Sequence, residues 1–433
     1  MILIHYLCMG IFSGKRFFVY GNGTSGKSAK RAIKKRGGTV TVHYDKDGAF
    51  TAPPEREYEF AVISPGIKKD HPVYSYCSSH GIETIGEAEL GFMLSDKPIV
   101  GVTGTNGKTT VTRLASKMLK CTACGNIGYP ITSAIDGKDK VLCCELSSFQ
   151  LDGAKRITPH VAVITNVAPD HIDYHGSFEA YCRAKCNIAA SMTENDYLVL
   201  GDDVTVGALS HLDTKARLIR CSADKVVDGA YVYRGNFWFM GERICSLDYL
   251  KLKGAHNIKN ALCAIAAAIL AGADNRDIAL ALSDTSPEPH RIEYVGTACG
   301  KVWIDDSKST NISSAVAAVE CVSGPMCLIV GGRNKGLDFD GLFSAFIERG
   351  LHKKIECVIA MGESAKALSE SGKKFGVDVV SAKKLSDAVD FAADSTAYTV
   401  LLSPACASFD EFNGYEKRGE AFRAAVEAKA GKQ

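Results

Sequence analysis

The sequence has no excess of charge of one sign, with 51 lysine and arginine residues against 49 aspartate and glutamate residues. This balance lacks the basic surface that binds nucleic acid or an anionic membrane, so neither partner is expected. No apolar stretch is long enough to span a bilayer. The apolar start, Met1–Phe12, lacks the basic region and cleavage pattern of a signal peptide, which leaves that interpretation the less favoured one. We therefore expect a cytoplasmic protein.

Low-complexity segments and solenoid-type repeats are also absent, and 433 residues predict two to four globular domains. Cysteine is plentiful, but its 16 copies do not form a disulfide or zinc pattern. Thiols in apolar runs such as Cys143-Cys144 predict reduced cysteines in a cytosol. Cys121-x-x-Cys124 has no second pair at the spacing of a zinc site, so we interpret it as incidental.

The chain is organised around a glycine-rich turn. The apolar, β-branched run Pro98–Thr103 predicts a buried strand, Gly104–Thr110 follows at once, and apolar residues at helical spacing come next. A strand, a glycine turn and a helix N-terminus together bind phosphate, with Lys108 reaching phosphate oxygens and the Thr109 hydroxyl reaching Mg²⁺. The interval between the glycines is shorter than usual. The alternative is a Gly/Asn-rich turn with a surface lysine.

The N-terminal part predicts a βαβ unit. Phe17–Tyr20 and Thr39–Asp45 are predicted strands on either side of a helix, and Gly21–Gly26 carries Gly-x-Gly-x-x-Gly. Taken alone, that spacing is a weak dinucleotide signal, and an NAD-dependent oxidoreductase would rest on it alone. Phe60–Ile63 is a third predicted strand. We expect this domain to end near Ser95.

In the central part, polar residues follow two predicted strands. Lys140–Cys144 leads to Glu145, and His160–Thr165 is followed by a turn that holds His171. Glu145 is placed like the acidic Mg²⁺ ligand that partners a phosphate loop, and the alternative is a helix N-cap or a solvated strand-end carboxylate. His171 could reach the same edge of the sheet, and because Mg²⁺ prefers oxygen to an imidazole nitrogen, a structural turn histidine is the alternative. Lys185, on a predicted helix, would by default face solvent.

The C-terminal part predicts four strands, each followed by polar residues, as in open parallel sheets that bind ligands at strand ends. These strands are Val302–Ile304, Cys327–Val330, Val358–Ala360 and Val400–Leu402. The prolines at 287 and 289 mark the boundary before them. The sequence predicts an α/β protein with three tandem domains: a Rossmann-like domain at 1–95, a P-loop ATPase-type domain at 96–288 and a second Rossmann-like domain at 289–433.

Motifs along nearly the whole chain resemble the Mur ligases and their folylpolyglutamate synthase relatives, which are ATP-dependent amide-forming enzymes. The motifs of the central part are Gly104–Thr110, Glu145–Leu151, Asn166–Asp173 and Ala255–Asn260. Those of the C-terminal part are Pro289–Glu293, Asp306–Asn311, Gly331–Lys335 and Leu402–Asp410 with Arg418-Gly419. The second set resembles the branch of the family that adds D-glutamate to UDP-N-acetylmuramoyl-L-alanine in peptidoglycan synthesis.

The resemblance implies ATP with Mg²⁺ at two sites. It implies that Lys108, His171 and Lys185 are catalytic and that the metals are held by Thr109, Glu145, His171 and Lys185. Lys185 would be carbamylated, which turns a cation into an oxygen ligand suited to Mg²⁺. The implied ATP contacts are Gly104, Thr105, Asn106, Gly107, Lys108, Thr109, Thr110, Asn257, Arg291 and Asp306.

The resemblance also implies that ATP phosphorylates the substrate carboxylate and that the D-glutamate amine attacks the resulting acyl phosphate. The implied nucleotide-sugar contacts are Ser25, Asp45, Ser64, Gly66 and Asn126. The implied D-glutamate contacts are Lys308, Thr310, Lys335, Ser408 and Phe409. A monomer is expected. The alternatives are another amide ligase of this family and a non-catalytic nucleotide-binding module.

Overall fold

The computed structural model of the protein describes residues 12–45, 50–53, 57–205, 207–286 and 288–430. The strands in these ranges form sheets of 4, 9 and 6 strands, which confirms the predicted α/β class. Most of Met1–Phe12, interpreted above as an apolar start, and the boundary residue Pro287 lie outside the described residues. Among the helices that are described, none is long and apolar enough to cross a membrane.

The chain forms two compact units. The first unit consists of residues 1–167, 179–251 and 257–285 and contains the first two sheets. The second consists of residues 168–178, 252–256 and 286–433 and contains the third sheet. The predicted domain limits at 95 and 288 stay predictions.

The first sheet has four parallel strands in the order β2-β1-β3-β4. Its elements are β1 Arg16–Tyr20, α1 Thr24–Lys35, β2 Thr39–His43, β3 Phe60–Ile63, α2 Pro72–Ser79, β4 Glu83–Gly86 and α3 Glu87–Leu94. The three strands predicted here are confirmed. Strand β4 was not predicted, because it is a short edge strand with one buried residue and no apolar run.

The second sheet has nine strands in the order β13-β12-β11-β10-β9-β8-β5-β7-β6, with β11, β12 and β13 antiparallel to one another in turn. Its first half contains β5 Ile99–Thr103, α4 Lys108–Met118, β6 Ala123–Gly125, α5 Ile131–Ala134, β7 Leu142–Glu145, α6 Ser148–Leu151, β8 Val161–Asn166, α7 Ile172–His175 and α8 Phe178–Cys186. Its second half contains β9 Tyr197–Asp203, β10 Arg217–Ser222, β11 Gly229–Tyr233, β12 Asn236–Phe239, β13 Glu242–Ser246, α9 Ala255–Leu270 and α10 Asn275–Ser283. Helix α7 lies in the stretch assigned to the second unit.

Buried carboxylates on α3 join the first two sheets within the first unit. Glu87 Oε1 accepts hydrogen bonds from the Thr132 backbone N (2.8 Å) and Oγ1 (2.6 Å). Glu89 Oε1 accepts from the backbone N atoms of Lys155 and Arg156, at 3.0 and 3.1 Å. Burial raises the pKa of Glu87. Because buried polar groups are costly without partners, these bonds fix α3 against the second sheet.

The third sheet has the order β14-β15-β19-β16-β17-β18, and all its pairs are parallel except β14 with β15. Its elements are β14 Glu293–Ala298, β15 Lys301–Asp305, α11 Ile312–Cys321, β16 Met326–Gly331, α12 Asp340–Glu348, β17 Ile355–Met361, α13 Ala365–Lys374, β18 Val379–Ala382, α14 Leu385–Asp394, β19 Thr399–Leu402 and α15 Tyr415–Ala430. Hydrophobic clusters cover both faces. The four predicted strands are confirmed, and the unpredicted β14 and β18 are the two edges.

Candidate active site

The glycine-rich turn after β5 needs glycine at two positions. Gly104 has φ +145° and Gly107 has φ +81°, in the left-handed region that L side chains rarely adopt. A Cβ at Gly104 would lie 1.9 Å from Thr165 Oγ1, and one at Gly107 would lie 2.1 Å from Asn260 Oδ1. Lys108 then begins α4. The predicted strand, turn and helix are confirmed.

The end of β8 holds this turn through hydrogen bonds. The Asn166 backbone O accepts from Thr105 N, and Asn166 Oδ1 accepts from Asn106 N, both at 2.9 Å. Asn166 Nδ2 and Thr165 Oγ1 both donate to the Asn106 carbonyl, at 3.0 and 2.6 Å. The loop conformation is therefore fixed by the protein's own groups, which is the preorganisation that electrostatic catalysis requires.

Two lysines converge on the carbonyl oxygen of Gly104. Lys108 Nζ donates to it at 3.0 Å and to the Thr105 carbonyl at 2.8 Å, and Lys185 Nζ donates to it at 2.6 Å. Lys185 is 1% exposed, and its Nζ lies 4.5 Å from the centroid of the Tyr181 ring. The interpretation of Lys185 as a solvent-facing residue is thus wrong. A buried lysine beside a phosphate-type loop is a functional candidate.

Strand β7 places Glu145 beside the loop, because β7 pairs with β5 and Glu145 is in register with Val102. Glu145 is 3% exposed, and its Oε1 accepts a hydrogen bond of 2.9 Å from Asn126 Nδ2. Its Oε2 is buried and has no hydrogen-bond partner within the described part of the chain. A buried carboxylate oxygen without a donor suits a bound cation. The solvated-carboxylate interpretation of Glu145 is therefore wrong.

Helix α9 brings two asparagines to the same place. Asn260 Oδ1 faces Gly107, and Asn260 Nδ2 donates to Asn257 Oδ1 at 3.2 Å. Asn257, an expected ATP contact, is 7% exposed. Thr109 and Thr110 lie in the first turn of α4. The first unit therefore brings together most of the residues expected to bind ATP.

In the second unit, Asp170 anchors the turn before α7. Asp170 Oδ1 lies 2.9 Å from Lys335 Nζ, and Asp170 Oδ2 accepts a 3.0 Å hydrogen bond from Asn311 Nδ2. Burial opposes ionisation of Asp170, but the charges of Lys335 and His171 and these hydrogen bonds lower its pKa. His171 follows in a left-handed conformation with φ +53°. The structure thus brings Lys335 to the Asp-His turn.

A second buried carboxylate in this unit is Asp306. Its Oδ1 accepts from Ile292 N at 3.2 Å, and its Oδ2 accepts from Ser403 Oγ at 2.8 Å and from Ser309 Oγ. Burial raises the pKa of Asp306 to about 6, an effect that the charge of Arg291 opposes. Arg291 Nε is buried without a hydrogen-bond partner among the described residues. These two expected ATP contacts therefore lie together.

The other expected amino-acid contacts differ in environment. Lys308 Nζ forms an ion pair with Glu288 and lies 5.4 Å from the centroid of the Tyr415 ring. Ser408 is 2% exposed, whereas Phe409 is 62% exposed, and Thr310 is half-buried.

Arg418 links the two loops that carry these residues, a role that the sequence did not reveal. Its Nε donates to Ser307 Oγ at 3.0 Å, and its Nη2 donates to the carbonyls of Ser307 and Cys406 at 2.8 and 3.1 Å. Burial lowers the pKa of Arg418 to about 10. The sequence gives little indication that Arg418 is buried, because Arg418 lies in a helix rich in charged residues.

The expected nucleotide-sugar contacts of the first sheet follow its strands. Asp45 comes after β2 and accepts hydrogen bonds from Tyr20 Oη and, at 3.1 Å, from His71 Nε2. The Tyr20 hydrogen bond is the main cause of the lowered pKa of Asp45. Ser64 Oγ, after β3, is buried and lacks a hydrogen-bond partner in the ranges that the structure describes. Ser25 is half-buried in the first turn of α1, and Gly66 is exposed.

The chain is similar in sequence to known proteins. The family described as the Mur ligase middle domain matches residues 102–268. A UDP-N-acetylmuramoylalanine–D-glutamate ligase of Halalkalibacterium halodurans is 37% identical over 96% of this chain and 98% of its own length. The ligase of the same name from Streptococcus pyogenes serotype M49 is 37% identical over 97% of this chain and 98% of its own length.

Among solved structures, a UDP-N-acetylmuramate–alanine ligase of Thermotoga maritima aligns with a TM-score of 0.62 at 17% identity. It covers 96% of this chain and 99% of its own. That likeness concerns the fold. The family assignment rests on the sequence, because the identity to the Halalkalibacterium halodurans ligase is 37% over nearly the full length of both chains. The chain belongs to the Mur ligase family, with the UDP-N-acetylmuramoylalanine–D-glutamate ligases as its curated relatives.

Proposed function

We propose that this chain is the ATP-dependent ligase that joins D-glutamate to UDP-N-acetylmuramoyl-L-alanine in peptidoglycan precursor synthesis. The observation that carries the proposal is the 37% identity to ligases of that name across 96% of the chain. The fixed glycine loop with Lys108 supports it, because a non-catalytic module would not need the buried Lys185 beside that loop, nor a buried carboxylate oxygen that has no hydrogen-bond donor among the described residues.

The residues of the first unit fit ATP and Mg²⁺. Gly104 and Gly107 pack so closely against Thr165 and Asn260 that neither position has room for a Cβ, which keeps this turn a bare backbone loop of the kind that binds phosphate. Glu145 Oε2 is a buried oxygen without a donor among the described residues. Thr109 and Glu145 would hold a Mg²⁺ ion. When bound, Mg²⁺ neutralises phosphate charge, so that one anion can be phosphorylated by another. Lys108 would move from the loop carbonyls to the phosphate oxygens.

The second unit would receive the amino acid. Lys308 and Lys335 are cations suited to a substrate with two carboxylates, and Ser408 and Thr310 can donate hydrogen bonds. The D-glutamate amine, once deprotonated, would attack the acyl phosphate of the nucleotide-sugar substrate and displace phosphate. Asp306 and Arg291 would contact ATP, while Ser25, Asp45, Ser64, Gly66 and Asn126 would bind the nucleotide sugar.

We also propose that Lys185 is carbamylated and binds Mg²⁺, and that His171 is a Mg²⁺ ligand. The burial of Lys185 beside the loop supports its carbamylation, because a buried ammonium is costly and a carbamate would supply an oxygen ligand there. The test is ¹³C NMR of protein equilibrated with ¹³C-bicarbonate. A carbamate signal that Lys185→Arg removes is expected, and its absence from wild-type protein would contradict this assignment.

The function is tested by product analysis. Purified protein is incubated with ATP, Mg²⁺, UDP-N-acetylmuramoyl-L-alanine and labelled D-glutamate. Label should move to the nucleotide sugar with formation of equal amounts of ADP. ATP binding without transfer of label to any nucleotide sugar would instead favour the nucleotide-binding module.

A further inference from the structure

In the structure a second pair of cysteines, Cys143 and Cys144, lies beside the Cys121-x-x-Cys124 motif, which the sequence spacing did not reveal. Strand β6 runs parallel to β7 with Cys124 in register with Cys144, so that Cys143-Cys144 lies beside the motif. Cys121 Sγ lies 3.6 Å from Cys143 Sγ. Both sulfurs are in van der Waals contact, and all the cysteines in the described residues are free thiols.

The four thiols form two pairs that differ in access. Successive residues of a strand point to opposite faces, so Cys143 and Cys144 face opposite sides of the sheet. Cys124 and Cys144 are both fully buried. In the other pair Cys143 is fully buried, but Cys121 is partly exposed. A reagent in solution can therefore reach Cys121, and the neighbouring sulfur that can then react with Cys121 is that of Cys143.

We propose that Cys121 and Cys143 are a redox-active dithiol that reacts with low-molecular-weight disulfides. The Cys121 thiolate, having lost its proton to solvent, attacks one sulfur of the small disulfide. A Cys121 mixed disulfide forms, and one small thiolate leaves. The Cys143 thiol then loses its proton and attacks Cys121 Sγ, which forms the Cys121–Cys143 bond and releases the second small thiol. Two protein thiols are oxidised, and one small disulfide is reduced to two thiols.

The geometry favours closure from the Cys121 side. A disulfide needs a sulfur–sulfur distance of about 2.05 Å, so the sulfurs must approach by roughly 1.5 Å. Strand β7 is held between β5 and β6, whereas β6 is the edge of the sheet. Cys121 lies just before that edge strand, after Lys120, whose φ is +50°. The short turn between α4 and β6 is the part that can move.

The experiment exposes the full-length protein to oxidised glutathione and maps cross-linked peptides by mass spectrometry without reduction. A peptide pair joined through Cys121 and Cys143 is expected, and dithiothreitol should abolish it. Cys121→Ser should remove the cross-link altogether. The matched control Cys124→Ser alters the buried pair on the opposite face, and the Cys121–Cys143 yield should be unchanged.

Two results would overturn the proposal. One is a Cys121 glutathione adduct that persists with Cys143 reduced, which would mean that the second sulfur cannot attack. The other is a cross-link between different cysteines that forms in Cys121→Ser with the yield seen in the wild type, which would assign the chemistry to those cysteines. Because Cys121 is partly exposed, its serine variant should fold, and circular dichroism of each variant before oxidation checks this.

Discussion

The two units prepare their candidate ligand sites in different ways. In the first unit, the glycine turn is fixed by backbone geometry and by hydrogen bonds from Thr165 and Asn166, and Glu145 keeps one carboxylate oxygen without a donor among the described residues. In the second unit, the two expected ligand lysines are each in an ion pair, Lys308 with Glu288 and Lys335 with Asp170.

This difference indicates how each site would bind an anion. A phosphate would enter a loop whose backbone shape already exists, so that Lys108 would reorient while the backbone stayed in place. A carboxylate in the second unit would have to replace the carboxylate that each lysine already contacts. We therefore expect substitutions in the first site to affect the rate most strongly and substitutions in the second to affect amino-acid binding.

The largest effect is expected for Lys108→Ala. Loss of the cation that would meet the phosphate oxygens should lower the rate of phosphate release by about 10²–10³-fold, the usual result of removing one donor to the negative charge of the transition state. Lys117→Ala is the matched control, because Lys117 lies at the other end of α4 and pairs with Asp284. Similar losses in both variants would contradict the assignment.

Lys308→Ala should affect the amino acid instead. Removing one member of a buried charge pair typically costs about 2–5 kcal/mol, so we expect KM for D-glutamate to rise at least tenfold. Nucleotide affinity, measured by calorimetry, should be nearly unchanged. The control is Lys366→Ala, an exposed lysine on α13. A loss of ATP affinity as large as the loss of ligation would contradict the assignment of Lys308 to the amino-acid site.

Gly107→Ala tests whether backbone geometry fixes the first site. A non-glycine residue in the left-handed region costs about 1–3 kcal/mol, and the new Cβ would approach Asn260 Oδ1. The free energy of unfolding and ATP affinity should both fall. Gly341→Ala is the control, because a Cβ there has no neighbour within 4 Å. Unchanged ATP affinity in Gly107→Ala would show that the loop tolerates a side chain.

The pH dependence of unfolding tests the environment of Asp306. Its pKa in the folded protein is raised from 3.8 to about 6, so its contribution to stability is present below pH 3.8 and is lost as pH rises to about 6. Relative to Asp306→Asn, the wild type should therefore lose stability as the pH rises through that window. Thermal unfolding midpoints of both proteins between pH 4 and 8 measure it. The same difference between the two midpoints at every pH would contradict a raised pKa of Asp306.

The sequence predicted the elements whose signals are local. Strand β5 is buried along its whole length, so its apolar run marks it, and the glycines of the following turn mark the phosphate loop. Strands β4 and β14 were missed because edge strands are half-exposed and have no such run.

Contacts between distant residues could not be predicted in the same way. The burial of Lys185 depends on the loop around Gly104, 81 positions earlier, and the ion pair of Lys335 with Asp170 spans 165 positions. The Tyr20–Asp45–His71 hydrogen bonds arise where different elements of the first sheet meet. Sequence spacing does not encode such contacts. The motifs supplied the residue types, while the strand order brought them together.

The most direct test of the proposed function is phosphate release with ATP, Mg²⁺ and UDP-N-acetylmuramoyl-L-alanine, comparing D-glutamate with L-glutamate, L-lysine and no amino acid. We predict sustained release with D-glutamate alone, since the acyl phosphate needs the correct amine to turn over. Sustained release with another amino acid would move the specificity within the family. Equal release with and without any amino acid would contradict the ligase mechanism.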